Sequence, residues 1–252
     1  GSDPNNFDGP QSAAKMGMDL MADGETALNA VVKAVRYLED DPRFNAGVGS
    51  QIRADNTTIQ LDASCMTSIS EFGAVACIEG IQNPVDLARG VLQHSPHILI
   101  VGDGAKAFAD ENNITMIPMG NLDCSIPTSS SCDTVGAVAF DGTIFAAALS
   151  SGGLKKVAIG RVGDVPLPGC GLFCCPSGAI ACTGDGEFIA LKVLAKEVYG
   201  WLENNMSPKK AAQKAIALFD DCVDIGLIIL TQNQFAINSR NGMACSHLME
   251  IR

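Results

Sequence analysis

The chain has 252 residues, with 17 Lys and Arg against 28 Asp and Glu and three histidines, so its formal charge is −11. A surface that neutralises phosphates needs a local surplus of cations, and the sequence holds no basic run and no aromatic-interleaved basic patch; neither nucleic acid nor an anionic membrane is an expected partner. Apolar residues make up 47% and charged residues 18%, which supplies a core and excludes a disordered chain.

Helical and strand periods alternate along the chain. From about Gln11 to Leu38 apolar residues recur at helical spacing (Met16, Leu20, Ala27, Val31, Val35, Leu38), with a break at Asp23-Gly24 and a stop at Asp40-Asp41-Pro42. Ile59 to Met66 and Phe72 to Ile81 are apolar runs of strand length, Pro84 opens a helix to about Gln93, His97 to Val101 reads as a buried strand, and Ala105 to Glu111 as a helix. Periodicity vanishes over about 112–133, which reads as a polar linker. Beyond it, Val135 to Phe140 and Ile144 to Leu149 flank Asp141-Gly142-Thr143 as a hairpin, and Ser150 to Gly178 reads as loop. A strand at Ala179 to Cys182, a long helix from Glu187 to Glu203, a helix from Pro208 to Phe219 capped by Ser207, and strands at Ile225 to Leu230 and Phe235 to Asn238 complete an α/β pattern.

The residues leave several chemistries open. His94 and His97 form a short H-x-x-H without two further ligands at suitable spacing, and Cys170, Cys174, Cys175 and Cys182 lack the paired C-x-x-C of a structural zinc site. Ten cysteines, several inside apolar runs, fit buried thiols in a reducing, cytoplasmic compartment. No apolar run reaches the roughly 20 residues of a membrane span, and the polar start Gly1-Ser2-Asp3-Pro4 does not read as a secretion signal. Two turns, Gly102-Asp103-Gly104 and Gly184-Asp185-Gly186, join a strand to a helix and could hold an anion on backbone N–H groups; a small-molecule binder built on the Gly184 turn is one reading. Thr134 stands directly after the linker at the head of a small-residue strand. Cleavage before it would give one residue both a hydroxyl nucleophile and an α-amine as its base, whereas without cleavage it is an ordinary β-branched strand residue.

A set of ordered motifs resembles one family. Asp133-Thr134-Val135-Gly136-Ala137-Val138, Ser150-Ser151-Gly152-Gly153, Gly160-Arg161-Val162-Gly163-Asp164 and Cys182-Thr183-Gly184-Asp185-Gly186-Glu187 follow the order and spacing of the plant-type L-asparaginase / isoaspartyl peptidase family of N-terminal nucleophile hydrolases. Phe44-Asn45-Ala46-Gly47-Val48-Gly49-Ser50, Leu61-Asp62-Ala63-Ser64 and Phe72-Gly73-Ala74-Val75 are similar to the same family upstream.

The resemblance implies a four-layer αββα sandwich forming a single domain, cut at Asp133-Thr134 into an α-subunit of residues 1–133 and a β-subunit of residues 134–252, with αβ units pairing as a homodimer. It implies Thr134 as nucleophile, Ser151 as its hydrogen-bonding neighbour, and Thr183 with Gly184 as the oxyanion hole. Arg161 and Asp164 would hold the α-carboxylate and α-ammonium, helped by Gly186, so the substrate is L-asparagine or an isoaspartyl dipeptide cleaved at its β-amide. Asn45 would support the site. No catalytic cofactor is implied; a structural Na⁺ would rest on the backbone carbonyls of Leu38, Glu39, Asp41, Phe44, Ala46 and Val48. Two departures accompany the match. No His-Gly-Gly-type turn is read ahead of Gln11, so the central strand that such a turn ends is expected to be missing or replaced, which leaves an inactive, unprocessed homologue as an alternative. Asp133 and Ser150-Ser151 resemble the aspartylglucosaminidase and threonine-aspartase branches, although Asp164 argues against the latter, since a protease acting within a chain meets no free α-ammonium.

Overall fold

A computed structural model describes residues 3–116, 118 and 134–249. Most of the expected linker at 112–133, and Asp133 with the bond joining it to Thr134, lie outside these described residues.

Two amphipathic helices begin the chain, α1 (Asp8–Ala22) and α2 (Ala27–Glu39), broken where the Asp23-Gly24 pair was read as an interruption. Thr26 caps α2, its Oγ1 accepting the Asn29 N–H at 3.2 Å. Strands β1 (Leu61–Thr67) and β2 (Phe72–Ile78) follow, then α3 (Pro84–His94), β3 (Leu99–Val101) and α4 (Gly102–Glu111). Next come the β4 (Val135–Phe140) and β5 (Phe145–Ser151) hairpin, β6 (Leu172–Cys175), β7 (Gly178–Gly184), α5 (Gly186–Lys192), α6 (Leu194–Glu203), α7 (Pro208–Ala217), β8 (Ile225–Leu230) and β9 (Phe235–Ser239).

The strands form two sheets, in orders β3-β2-β1-β5-β4 and β6-β7-β8-β9. The first therefore joins strands from both sides of residue 134. Alternate residues of β5 serve different apolar layers, as the period of two requires. Ala146 and Ala148 pack with Val31, Val35, Val85 and Val91 of the helices, while Phe145, Ala147 and Leu149 pack with Leu172, Ala179 and Ala181 of the second sheet. Ile180 and Cys182 of β7 join Ile225, Leu227, Val198 and Trp201 beneath α6 and α7. The result is a mixed α/β fold in which two sheets face each other and helices cover their outer faces.

Four sequence expectations are corrected. The loop read over Ser150 to Gly178 contains β6, whose side chains alternate between buried Leu172 and Cys174 and half-buried Phe173 and Cys175. The long helix over Glu187 to Glu203 is two helices, because Val193 adopts φ 47°, ψ 48°. Strand β3 is partly exposed rather than buried. Ser207 precedes α7 in extended conformation, but its side chain makes no capping hydrogen bond.

The hairpin turn is fixed by Asp141. Its carboxylate accepts the N–H groups of Thr143 and Ile144 and, across the molecule, that of Ala27 at the start of α2, each at 2.9 Å. Burial opposes the charge, yet these N–H groups hold the carboxyl below its usual value. The contact ties the β4–β5 hairpin, which carries Thr134 and Ser151 at its open end, to the helix that leads into the Asn45 loop.

Among the described residues every cysteine is a free thiol. Burial pushes the Cys65 thiol up to about 12 and Cys182 well above the usual thiol range, so both pack as inert apolar groups. No described helix is long and apolar enough to cross a membrane.

Candidate active site

Three separate parts of the chain converge at one end of the two sheets. Thr134 precedes β4; Ser151 ends β5; Thr183 and Gly184 end β7 in the facing sheet. Register places Val135 opposite Ser150, and Asp62 of β1 opposite Ser151. A small cleft is lined by Asn45, Thr134, Ser151, Gly153, Arg161 and Asp164, with Leu154, Gly184 and Gly186 completing its wall. Thr183 lies beside it in a larger groove that Thr134 also lines. The fold thus gathers Thr134, Ser151, Arg161, Asp164, Gly184, Gly186 and Asn45, all expected from sequence.

The Thr134 hydroxyl donates to Ser151 Oγ at 3.3 Å, and the same oxygen accepts the Gly153 N–H at 3.0 Å. Ser151 is thereby held between the candidate nucleophile and the Gly152-Gly153 turn. Asn45, 3% exposed, braces that turn from the other side: Nδ2 donates to Gly153 O at 2.7 Å, its carbonyl accepts the Gly152 N–H at 2.9 Å, and Oδ1 accepts the Gln51 N–H at 3.0 Å. Gly184 has φ 132°, where a side chain would run into the Asp224 carbonyl, so glycine is required for β7 to turn into α5. The turn is closed by Asp185 N–H to Asp224 O and Asp224 N–H to Asp185 Oδ2, both at 2.9 Å.

Arg161 and Asp164 supply opposite charges to one wall. Asp164 is 4% exposed, and burial pushes its carboxyl up to about 7 although Arg161 pulls the other way. Its Oδ2 has no hydrogen-bond partner among the described residues, which is the state expected of an acceptor awaiting a donor. Arg161 makes a side-on fork with Glu187, Nε–H to Oε1 at 2.8 Å and Nη2–H to Oε2 at 2.7 Å. The segment bearing both residues is anchored to β1 by the Ser64 hydroxyl donating to Val165 O at 2.5 Å.

The carbonyls proposed for a cation lie in the turn after α2. Those of Asp41, Phe44 and Ala46 each accept one backbone N–H, from Phe44, Ala46 and Gly49 respectively, and that of Leu38 accepts from Asp40 and Asp41. A carbonyl with one such donor keeps a second lone pair, so this neutral, all-oxygen donor set fits a hard monovalent cation. Among the described residues no group of three or more His, Cys, Asp or Glu could hold a metal ion.

Comparison with known proteins decides the family. The asparaginase family model matches residues 3–126 and 119–247. The chain belongs to the asparaginase family. It is 35% identical over 243 residues to a plant-type L-asparaginase of Pyrococcus horikoshii, covering 85% of this chain and 79% of that one. It is 33% identical over 251 residues to an isoaspartyl peptidase/L-asparaginase of Danio rerio (89% and 79%), and 37% identical over 234 residues to one of Mus musculus (83% and 70%). As an asparaginase-family hydrolase, the chain has its motif residues in a shared cleft rather than scattered over the surface.

The sequence reading missed Glu187 as partner of Arg161, although it closes the quoted Thr183-Gly184-Asp185-Gly186-Glu187 run. It also missed Leu154 as a lining residue and the burial of Arg53, which sits in a polar stretch that resembles an exposed loop.

Proposed function

We propose that this protein is an amidohydrolase that cuts itself before Thr134 and then hydrolyses the β-amide of L-asparagine or of β-aspartyl dipeptides. The observation that carries the reading is the convergence of Thr134, Ser151, Arg161 and Asp164 on one cleft from distant parts of the chain. In this reading the two sheets and their helices form the four-layer αββα sandwich of N-terminal nucleophile hydrolases, with residues 1–133 and 134–252 as its two subunits.

The chemistry follows from these groups. The Thr134 hydroxyl attacks the Asp133 carbonyl; the C–N bond breaks, which frees the Thr134 amine as the acyl group passes to Oγ1, and water then hydrolyses that ester, leaving a carboxylate on Asp133 and restoring the Thr134 hydroxyl. That amine then takes the hydroxyl proton as Oγ1 attacks the substrate β-amide. The Thr183 hydroxyl and Gly184 N–H receive the developing oxyanion, and the amine returns the proton to departing ammonia or peptide amine. Water completes the cycle by hydrolysing the threonyl ester and releasing aspartate. Ser151 orients Oγ1. Arg161 accepts the α-carboxylate in place of Glu187, and Asp164 accepts the α-ammonium. A Na⁺ on the carbonyls of Leu38, Glu39, Asp41, Phe44, Ala46 and Val48 would stiffen the turn that delivers Asn45, without entering the reaction.

Phe188, Leu191 and Val193 are exposed on and just after α5, and Ile159 and Val162 are exposed on the segment held to it by the Arg161–Glu187 fork. This apolar surface supports a second copy of the chain as partner, giving a dimer of αβ units. The test of function is direct: purified protein incubated with L-asparagine or a β-aspartyl dipeptide should release aspartate, and Thr134→Ala should release none. Hydrolysis of an internal aspartyl peptide bond with neither small substrate consumed would favour the threonine-aspartase branch.

A further inference from the structure

A second guanidinium lies behind the cleft, unused by the reaction above. Arg53, between the Asn45 loop and β1, is 0% exposed. Its Nη2–H donates to Gln60 O at 2.9 Å, while Nε and Nη1 have no hydrogen-bond partner among the described residues. A buried cation with unpartnered donors is unfavourable by itself. Its surroundings show where its field acts. Arg53 Nη1 lies 3.0 Å, and Arg161 Nη1 3.2 Å, from the point that a Cβ on Gly153 would occupy. The two guanidinium groups therefore face each other across a bare Cα, within about 6 Å.

Asp62 completes the arrangement. It is buried on β1, accepts the Cys77 N–H at 2.9 Å and lies within electrostatic range of both arginines. Burial raises its carboxyl and lowers the Arg53 guanidinium, each opposed by the other's charge. With Arg53 in place, Asp62 is balanced from behind and Arg161 is repelled toward the cleft. Without it, the Asp62 charge is balanced only by backbone N–H groups and by Arg161, which it draws backward.

We propose that Arg53 is a positioning residue for the substrate α-carboxylate: a buried second cation that, with Asp62 and across Gly153, keeps Arg161 turned into the cleft and strengthens the field the carboxylate meets. This rests on the asparaginase reading. It concerns binding of one charged group, so its signature is a change in KM confined to substrates that carry that group.

The experiment uses the processed full-length enzyme and two substrates, L-asparagine and L-asparagine amide, in which the α-carboxylate is a neutral carboxamide. Arg53→Met, similar in length and uncharged, should raise KM for L-asparagine about tenfold, leave kcat within about twofold, and leave KM for the amide unchanged. Arg53→Lys, which keeps the charge, should restore KM for L-asparagine to within about threefold of wild type. An unchanged KM for L-asparagine in Arg53→Met, or an equal rise for both substrates, would overturn the inference and leave the asparaginase reading intact. Should Arg53→Met not fold, Arg53→Lys decides alone, because a tenfold rise there despite the retained charge would overturn it. A wild-type enzyme that hydrolyses neither amide would overturn the asparaginase reading itself and this inference with it.

Discussion

Arg161 and Glu187 are locked in a two-bond fork, at 2.8 and 2.7 Å, so the cation assigned to a substrate carboxylate already holds a carboxylate of the protein. The Glu187 side chain is 54% exposed and that of Arg161 is 14% exposed. Glu187 can swing into solvent, while Arg161 cannot leave the wall. In the proposed function, substrate entry exchanges one carboxylate for another. Glu187→Gln should lower KM for L-asparagine by up to about fivefold with kcat little changed, in keeping with the roughly 1 kcal/mol or less of a half-exposed ion pair. A rise in KM measured by steady-state kinetics would show instead that Glu187 orients Arg161 for the substrate.

Ser151 Oγ accepts both the Thr134 hydroxyl and the Gly153 N–H of the turn braced by Asn45. Ser151→Ala should lower kcat by about tenfold to a hundredfold with KM nearly constant, since the hydroxyl it orients reacts only in the chemical step. Ser151→Thr, which retains the oxygen, should remain within about threefold of wild type. Both values come from the same steady-state measurement.

The buried Asp164 carboxyl titrates at about 7 instead of its usual value near 3.8. It is neutral below that pH and charged above it, and only the charged form pairs with an α-ammonium. Measured kcat/KM for L-asparagine should therefore fall as pH drops through about 7. Succinamate, which lacks the ammonium, should lose the Asp164 limb of that profile. The stability sign is opposite. The unfolded carboxyl ionises near 3.8 and the folded one near 7, so this group destabilises the ligand-free protein progressively as pH rises between those values.

Val193 separates α5 from α6 in a left-handed conformation that β-branched residues strongly disfavour, and the residue is 45% exposed. Val193→Gly should stabilise the protein by about 1 kcal/mol, read as a higher midpoint in urea at an unchanged slope. A lower midpoint would mean that the packing of Val193 outweighs the relief of its backbone.

The features legible in the sequence and those that were not divide along physical lines. Amphipathic α2 and the hairpin at Asp141-Gly142-Thr143 were legible because period and turn chemistry agree with the tertiary fold, and Arg161, Asp164 and Gly184 because they lie in compact motifs of chain order. Strand β6 was not, since four residues between glycines and prolines carry too short a pattern for a period of two to register. The break at Val193 opposes local propensity, since a β-branched residue disfavours the left-handed conformation that separates α5 from α6. Arg53 stands in the polar run Gln51 to Thr58, where nothing local signals that Gln60, Asp62 and Gly153 close around it.

In the proposed function the bond before Thr134 is cut by Thr134 itself, and intact-mass spectrometry of the purified protein reads that bond directly. The intact chain is 26.2 kDa. The expected result is two pieces of roughly 14 and 12 kDa, the smaller beginning at Thr134, with Thr134→Ala remaining at full mass. A single species at the full mass for wild type and Thr134→Ala alike would contradict it.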